Sequence, residues 1–400
     1  MDNAADPTAG FTDMQWYMYR QRNVAFFGAF TSRHFSAADL LAAARGLVER
    51  APQLTLGFPH GIPDDVLVRA IYKESVPTLD GLPDRWLDDG ATVFADPALP
   101  LFRLRYADAA SAEDGHAGFL LVQVAHALVE GADSALLSRS QSAAHPASRS
   151  AHRTPPLVKA AATGLGAGLA ALHLIAGNLV ELRPGPYRAA TRVYPRAIFS
   201  RLARQHGVRQ RALFFALVLA TLFESGTSSG KRRISATYSS IDDGGGADRD
   251  SYMRMRMRFA VFDNAADFPS LVRAVDARLA EAEAKESGFN AELNAGGLRV
   301  HRRLSRLLPF AYTPRIFRMM PFDVVLGLIP PHRLTGDLTA GLAEPVFAGA
   351  ALAGANACVI VPSRRSVTFN FYLQDALMQY VPRLDTLLAP LLISRSETVG

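Results

Sequence analysis

A chain of 400 residues, 49% hydrophobic and 20% charged, has the length of two or three domains and is too apolar to remain disordered. Its single cysteine, Cys358, rules out an internal disulfide and a multi-thiolate metal site, so no metal is expected and a reducing compartment is the default. The net charge of +6 favours an anionic partner, but lysine occurs only at Lys73, Lys159, Lys231 and Lys285, and the arginines are scattered rather than gathered on one helix or arm, so nucleic acid is not the expected partner.

The first twenty residues carry Asp2, Asp6 and Asp13 without a charged-then-apolar pattern, which predicts a cytoplasmic protein without a secretory signal. Ser36 followed by Ala37, Ala38 and Asp39 reads as a helix N-cap, and Leu40, Leu41, Ala44, Leu47 and Val48 continue at helical spacing. Residues 101–107 and 119–124, separated by a polar loop from Asp108 to Gly115, read as an antiparallel hairpin. Helical spacing resumes over 132–139, which leaves His126 to Gly131 in a strand-to-helix loop. Residues 138–156, rich in Ser, Ala, His, Arg and Pro, read as a linker. The expected organisation is a first lobe over 1–155, an apolar helix and linker over 156–185, and a second lobe over 186–400.

Between Ala160 and Val180 no side chain is formally charged, and the stretch is long enough to cross a bilayer. It is rich in Ala and Gly and holds Thr163, His173 and Asn178, so a buried or membrane-surface helix is expected, with Arg183, Arg188, Arg192, Arg196, Arg201 and Arg204 after it placed to meet lipid head groups. Helices are then predicted over 195–205 and 211–224, a strand over 234–239, and a Gly/Asp loop over 242–250. Residues 252–262 alternate Met253, Met255 and Met257 with Arg254, Arg256 and Arg258, a strand with an apolar and a basic face. The basic face is either a solvated surface or an arginine row for phosphate groups. A helix over 268–286, a hairpin of 355–362 with 366–373, and a C-terminal helix over 375–388 complete an α+β pattern of mixed strands with flanking helices.

The segment Val124-Ala125-His126-Ala127-Leu128-Val129-Glu130-Gly131 carries the chemistry. A histidine leaving a strand, with a carboxylate four residues later and a glycine that lets the chain turn, suits a general base at a channel mouth. Here the sequence resembles the acyltransferase superfamily of chloramphenicol acetyltransferase and the condensation domains, and within it the bacterial wax ester synthase/diacylglycerol acyltransferases. That family carries His-His-x-x-x-Asp-Gly, and His126 matches its second, catalytic histidine. Leu99-Pro100-Leu101-Phe102 resembles the family's Pro-Leu-Trp strand, and Val367-Thr368-Phe369-Asn370-Phe371 lies where the family has Asp-Phe-Gly.

Four positions depart from the pattern: Ala125 replaces the first histidine, Glu130 the aspartate, Thr368-Phe369-Asn370 the Asp-Phe-Gly, and Leu326-Gly327-Leu328-Ile329-Pro330 the Ser-Asn-Val-Pro-Gly. The resemblance implies two lobes like those of chloramphenicol acetyltransferase, each a mixed sheet with flanking helices, with a tunnel between them. It implies transfer of an acyl group from a CoA or acyl carrier protein thioester to a hydroxyl-bearing acceptor, without a tightly bound cofactor and with possible membrane-surface contact. His126 would be the base, Glu130 and Gly131 its loop support, Thr368 and Asn370 oxyanion or acceptor contacts, and Arg254, Arg256 and Arg258 phosphate contacts. The alternative is a catalytically silent relative that binds an acyl carrier or a lipid. Cys358, in an apolar strand, reads as a core residue.

Overall fold

The computed structural model describes residues 11, 13–58, 60–88, 93–96, 98–109, 115–129, 156–157, 160–161, 163–168, 172, 186–223, 233–241, 255–284, 296–297, 299–300, 302–303, 323–329, 342–352 and 355–393. The first half contains α1 (Asp13–Arg20), β1 (Val24–Thr31), α2 (Ala37–Arg50), α3 (Asp64–Arg69), β2 (Ile71–Val76), α4 (Leu82–Asp88), β3 (Phe102–Ala109) and β4 (Gly118–Ala125). The second contains β5 (Tyr187–Pro195), α5 (Arg196–His206), α6 (Gln210–Phe223), β6 (Arg233–Ile241), β7 (Met255–Asp263) and α7 (Phe268–Ala284). It continues with β8 (Val324–Leu328), β9 (Leu342–Ala351), β10 (Ala357–Pro362), β11 (Ser366–Gln374), α8 (Asp375–Met378) and α9 (Pro382–Ile393).

Ser36 starts α2 as its sequence predicts. Its hydroxyl accepts from the Asp39 N–H, and the Asp39 carboxylate accepts from the Ser36 N–H at 2.8 Å, a complete capping box. The Ser36 hydroxyl and N–H, with Arg33, hold the Asp39 carboxyl down at about 2. A depressed folded-state value means the contribution is present above the unfolded value and is lost as the pH falls through about 4 toward 2. Ser36→Ala is expected to lower Tm at neutral pH and to flatten its dependence on pH across that window; a variant with an unaltered acid profile would contradict the assignment.

Two mixed sheets form. The first has strand order β2-β3-β4-β1-β9, and the second β5-β11-β10-β8-β6-β7. The predicted hairpins are present: β3 pairs antiparallel with β4, placing Phe102 opposite Val124, and β10 pairs with β11, placing Cys358 opposite Phe371. β9 departs from a simple division of the chain, because it leaves the second half and pairs antiparallel with β1, Phe27 facing Ala348. The two halves therefore share a sheet. On β9, Gly349 is required where the Phe26 ring lies over the neighbouring strand and leaves no space for a Cβ.

The second sheet has two distinct faces. Val367, Phe369, Phe371 and Leu373 of β11, with Cys358 and Ile360 of β10, pack against α5, α6, α7 and α9. The alternating positions Ala357, Val359 and Val361 belong instead to the core of the first half. Burial pushes the Cys358 thiol well up, consistent with its packing role.

The open edge of β5 is satisfied from the first half. Asp88 of α4 accepts from the Ala189 N–H, and Asp84 accepts from the Thr191 hydroxyl at 2.7 Å. Burial is the largest influence on both carboxyls and pushes them up. For an acid whose folded-state value is raised, stability is greatest below the unfolded value and falls as the pH rises through the folded one. Asp84→Asn keeps the acceptor oxygen and removes the buried charge. It is expected to have a higher Tm than wild type at neutral pH, with the advantage vanishing in acid; a lower neutral-pH Tm would show that the ionised carboxylate is net stabilising.

Candidate active site

His126 follows the last residue of β4, where the strand leaves the sheet. Its N–H donates to the Asn23 carbonyl at 2.8 Å, and Ala125 N–H donates to the Leu101 carbonyl at 2.9 Å, so the turn is fixed by the two neighbouring strands. Asn23 is fully buried and closes the turn from α1 to β1, in which Arg22 adopts φ 54° and the Asn23 amide donates to the Met18 sulfur. The ring of His126 is half-buried, and its Nδ1 lies 2.9 Å from the Val129 carbonyl oxygen. A carbonyl only accepts, so Nδ1 carries a proton, and in the neutral ring Nε2 then holds the lone pair. This is the tautomer a general base requires.

The loop lies at the junction of the halves. Ala125, Ala127, Leu128 and Val129 share one apolar cluster with Ile329, Ala357 and Val361 of the second half. Ala125, at the position of the family's first histidine, is wholly buried there. Glu130 and Gly131 lie outside the described residues, as do the predicted helix over 132–139, the linker up to residue 155 and the loop over 242–250.

Thr368 and Asn370 occupy the face of β11 opposite its aromatic core residues, the face that carries Tyr372 into the clusters of the first half. Both are buried. Asn370 Nδ2 donates to the Val359 carbonyl at 3.1 Å, while its Oδ1 and the Thr368 hydroxyl have no hydrogen-bond partner among the described residues. A buried polar atom without a partner costs about 1–3 kcal/mol, so two on adjacent same-face positions mark a place where polarity is retained against stability. Thr368 offers a hydroxyl that can donate, and Asn370, with one of its two amide hydrogens engaged, offers its Oδ1 as an acceptor. Neither is shown in contact with His126.

Of the arginine row, only the side chain of Arg258 is among the described residues. Its guanidinium donates to the Ala282 carbonyl of α7, and the same face of β7 carries the buried Ala260 and Phe262, while Phe259 on the opposite face is exposed. With a two-residue period, Arg258 lies on the side of β7 that meets the helices. β7 is also an edge strand, four strand spacings from β11, or roughly 19 Å. Arg254 and the side chain of Arg256 lie outside the described residues.

Sequence reasoning missed Asn23 and Val129, which hold His126 through main-chain carbonyls and so leave no side-chain signature. It also missed Asp84 and Asp88, whose i,i+4 spacing on one helix face was a readable signal.

These two mixed sheets with flanking helices, joined by a strand exchanged from the second half, define the two-lobed fold of the CoA-dependent acyltransferases and condensation domains. Among solved structures, the wax ester synthase/diacylglycerol acyltransferase from Marinobacter aquaeolei VT8 is similar at 14% identity and TM-score 0.55, covering 96% of this chain and 99% of that one. The first condensation domain of the calcium-dependent antibiotic synthetase, in complex with a substrate analogue, is similar at 12% identity and TM-score 0.53, over 96% of both chains. A trichothecene 15-O-acetyltransferase from Fusarium sporotrichioides is similar at 14% identity and TM-score 0.52, covering 91% of this chain and 90% of that one. No protein-family model and no curated protein sequence matches the chain.

Proposed function

We propose that the protein is an acyltransferase that moves an acyl group from a CoA or carrier-protein thioester to a hydroxyl, less readily an amine, acceptor, forming a lipid or natural-product ester with His126 as general base. The observation that carries this reading is the His126 ring set at the junction of the two halves with Nδ1 held against the Val129 carbonyl. The shared fold supports it, since the similar proteins include an ester synthase and an O-acetyltransferase.

In the proposed reaction Nε2 takes the acceptor's O–H proton as the oxygen attacks the thioester carbonyl. Collapse of the tetrahedral intermediate breaks the C–S bond, and the imidazolium returns the proton to the departing thiolate. No acyl-enzyme forms and no resident cofactor is needed. Thr368, with a hydroxyl hydrogen to donate, is assigned to the oxyanion, and Asn370 Oδ1 to the acceptor; Glu130 and Gly131 are assigned to holding the loop. The location assigned is the cytoplasm, at the inner face of the membrane.

The test is incubation with acyl-CoAs of graded chain length, or acylated carrier protein, together with alcohols and amines, following free thiol and the mass of the product. Thiol release coupled to ester appearance is expected. Absence of release above the hydrolytic background with every donor would overturn the reading.

A further inference from the structure

The face of the second sheet that meets the first half carries a row of polar side chains with unequal partners. Strand register places Thr191 and Val193 of β5 beside Asn370 and Thr368 of β11, with Ser366 next along the same face. Ser363 joins them. It continues the register of β10 beyond Pro362, and its N–H donates to the carbonyl of Ser366 opposite. Two of these hydroxyls are satisfied by neighbouring elements: Thr191 donates to Asp84 of α4 at 2.7 Å, and Ser366 to Glu344 of β9 at 3.4 Å. Three polar atoms are not. The Ser363 and Thr368 hydroxyls and Asn370 Oδ1 belong to buried residues and have no hydrogen-bond partner among the described residues.

The two sides of the row differ. On the β10 side, Val361 and Val359, opposite Thr368 and Asn370, belong to the cluster that receives Ala127, Leu128 and Val129 of the His126 turn. On the β5 side, Val193, opposite Thr368, is 42% exposed although it is apolar and its strand neighbours are covered. Solvent therefore comes within one strand spacing of Thr368, about 5 Å. The row lies between the turn of the candidate base and an opening at β5. No charged residue occupies this face on β5, β11 or β10, so nothing there balances an anion. Two hydroxyls and an amide oxygen are instead complementary to hydroxyl groups, which donate and accept. From Ser363 to Asn370 the row covers four residue rises, about 14 Å, so hydroxyls that engage both ends are several atoms apart.

We propose that Ser363 selects an acceptor with a second hydroxyl remote from the reacting one, of the cyclic-polyol or sugar class, which enters past Val193. The reacting hydroxyl lies toward Asn370, and the remote hydroxyl, left unchanged by the reaction, pairs with Ser363. A plain alcohol leaves the Ser363 hydroxyl buried and unpaired, and that penalty is the source of discrimination. The inference rests on the acyl-transfer reading and adds to it the class of acceptor.

Ester formation by the full-length protein is measured with trans-cyclohexane-1,4-diol and with cyclohexanol, using the thioester that supports ester formation best. After allowance for its two equivalent hydroxyls, the diol should have a kcat/KM about 10-fold higher, the worth of one hydrogen bond that the competitor cannot complete. Ser363→Ala should bring that ratio to about one without lowering Tm, because the hydroxyl it removes holds no other element. Val193→Trp, at an exposed position that tolerates bulk, should raise the KM for both alcohols and leave the KM for the thioester unchanged. Ester formation with a wild-type ratio near one, a ratio that Ser363→Ala does not alter, or an effect of Ser363→Ala on the thioester KM alone would overturn the proposal and leave acyl transfer standing. So would a lower Tm with an equal loss for both alcohols, which assigns Ser363 to structure, or an unaltered acceptor KM in Val193→Trp. Absence of ester with every alcohol would overturn both.

Discussion

His126→Ala is expected to lower the rate of ester formation from a thioester donor by about 10²–10⁴-fold, the range a positioned general base supplies. The loss should fall on kcat with little change in the KM for either substrate, because the imidazole acts on a proton in flight and does not hold the donor. Wild-type rates should fall in acid as the imidazole becomes protonated, and this acid limb should disappear from the residual rate of the variant. Structure should be spared. The ring is half-buried, and the hydrogen bond that fixes the turn runs from the main-chain N–H to Asn23, which alanine retains. Measurement of kcat and KM across pH, with Tm as control, decides the matter; an unchanged kcat in a folded variant would remove His126 as the base.

The largest loss of stability is expected from Phe369→Ala. Phe369 is fully buried on β11 and meets the rings of Tyr194, Phe199 and Phe214 with centroid separations of 6.0, 5.7 and 6.0 Å. These neighbours come from β5, α5 and α6, so one ring joins the sheet to its helical layer. Removing it from such a packed site costs about 3–5 kcal/mol, because elements held by other contacts cannot collapse into the cavity. Phe369→Leu, which keeps most of the volume, should cost less than half as much. Chemical denaturation gives both values, and a cost for alanine below about 1 kcal/mol would show that the layer repacks. Thr368 and Asn370 flank this residue on the opposite face, so a loosened β11 should also lower activity when the protein is still folded.

Local patterns in the sequence were sufficient for several elements. The Ser36 cap and its heptad-like spacing defined α2, the two antiparallel hairpins followed from alternation and turn residues, and the 3.6-residue period located α5, α6 and α7. The single C-terminal helix expected over 375–388 is instead α8 and α9 separated by a turn, because Pro382 has no N–H to continue a helix and starts a new one. β5 was obscured by its arginines and by prolines at either end, and an edge strand needs no fully apolar run. The alternation of β7 was legible, but which of its faces meets the helices was not: Arg258 lies on that side because Ala260 and Phe262 supply the buried area, and its long apolar stem reaches past them to the Ala282 carbonyl.

What the sequence determined by itself about this protein is its set of helices and hairpins and the histidine at the end of β4, since caps, turns and side-chain periods depend on residues within a few positions of one another. Only the tertiary structure decided that β9 pairs with β1 across more than 300 residues, that Asp84 and Asp88 close the edge of β5, and that main-chain carbonyls of Asn23 and Val129 orient His126. Those contacts are made by backbone groups, which every residue possesses, or by partners far apart in the chain. Their selection comes from burying the apolar faces of both sheets at once, a condition satisfied by the whole chain and by no single segment of it.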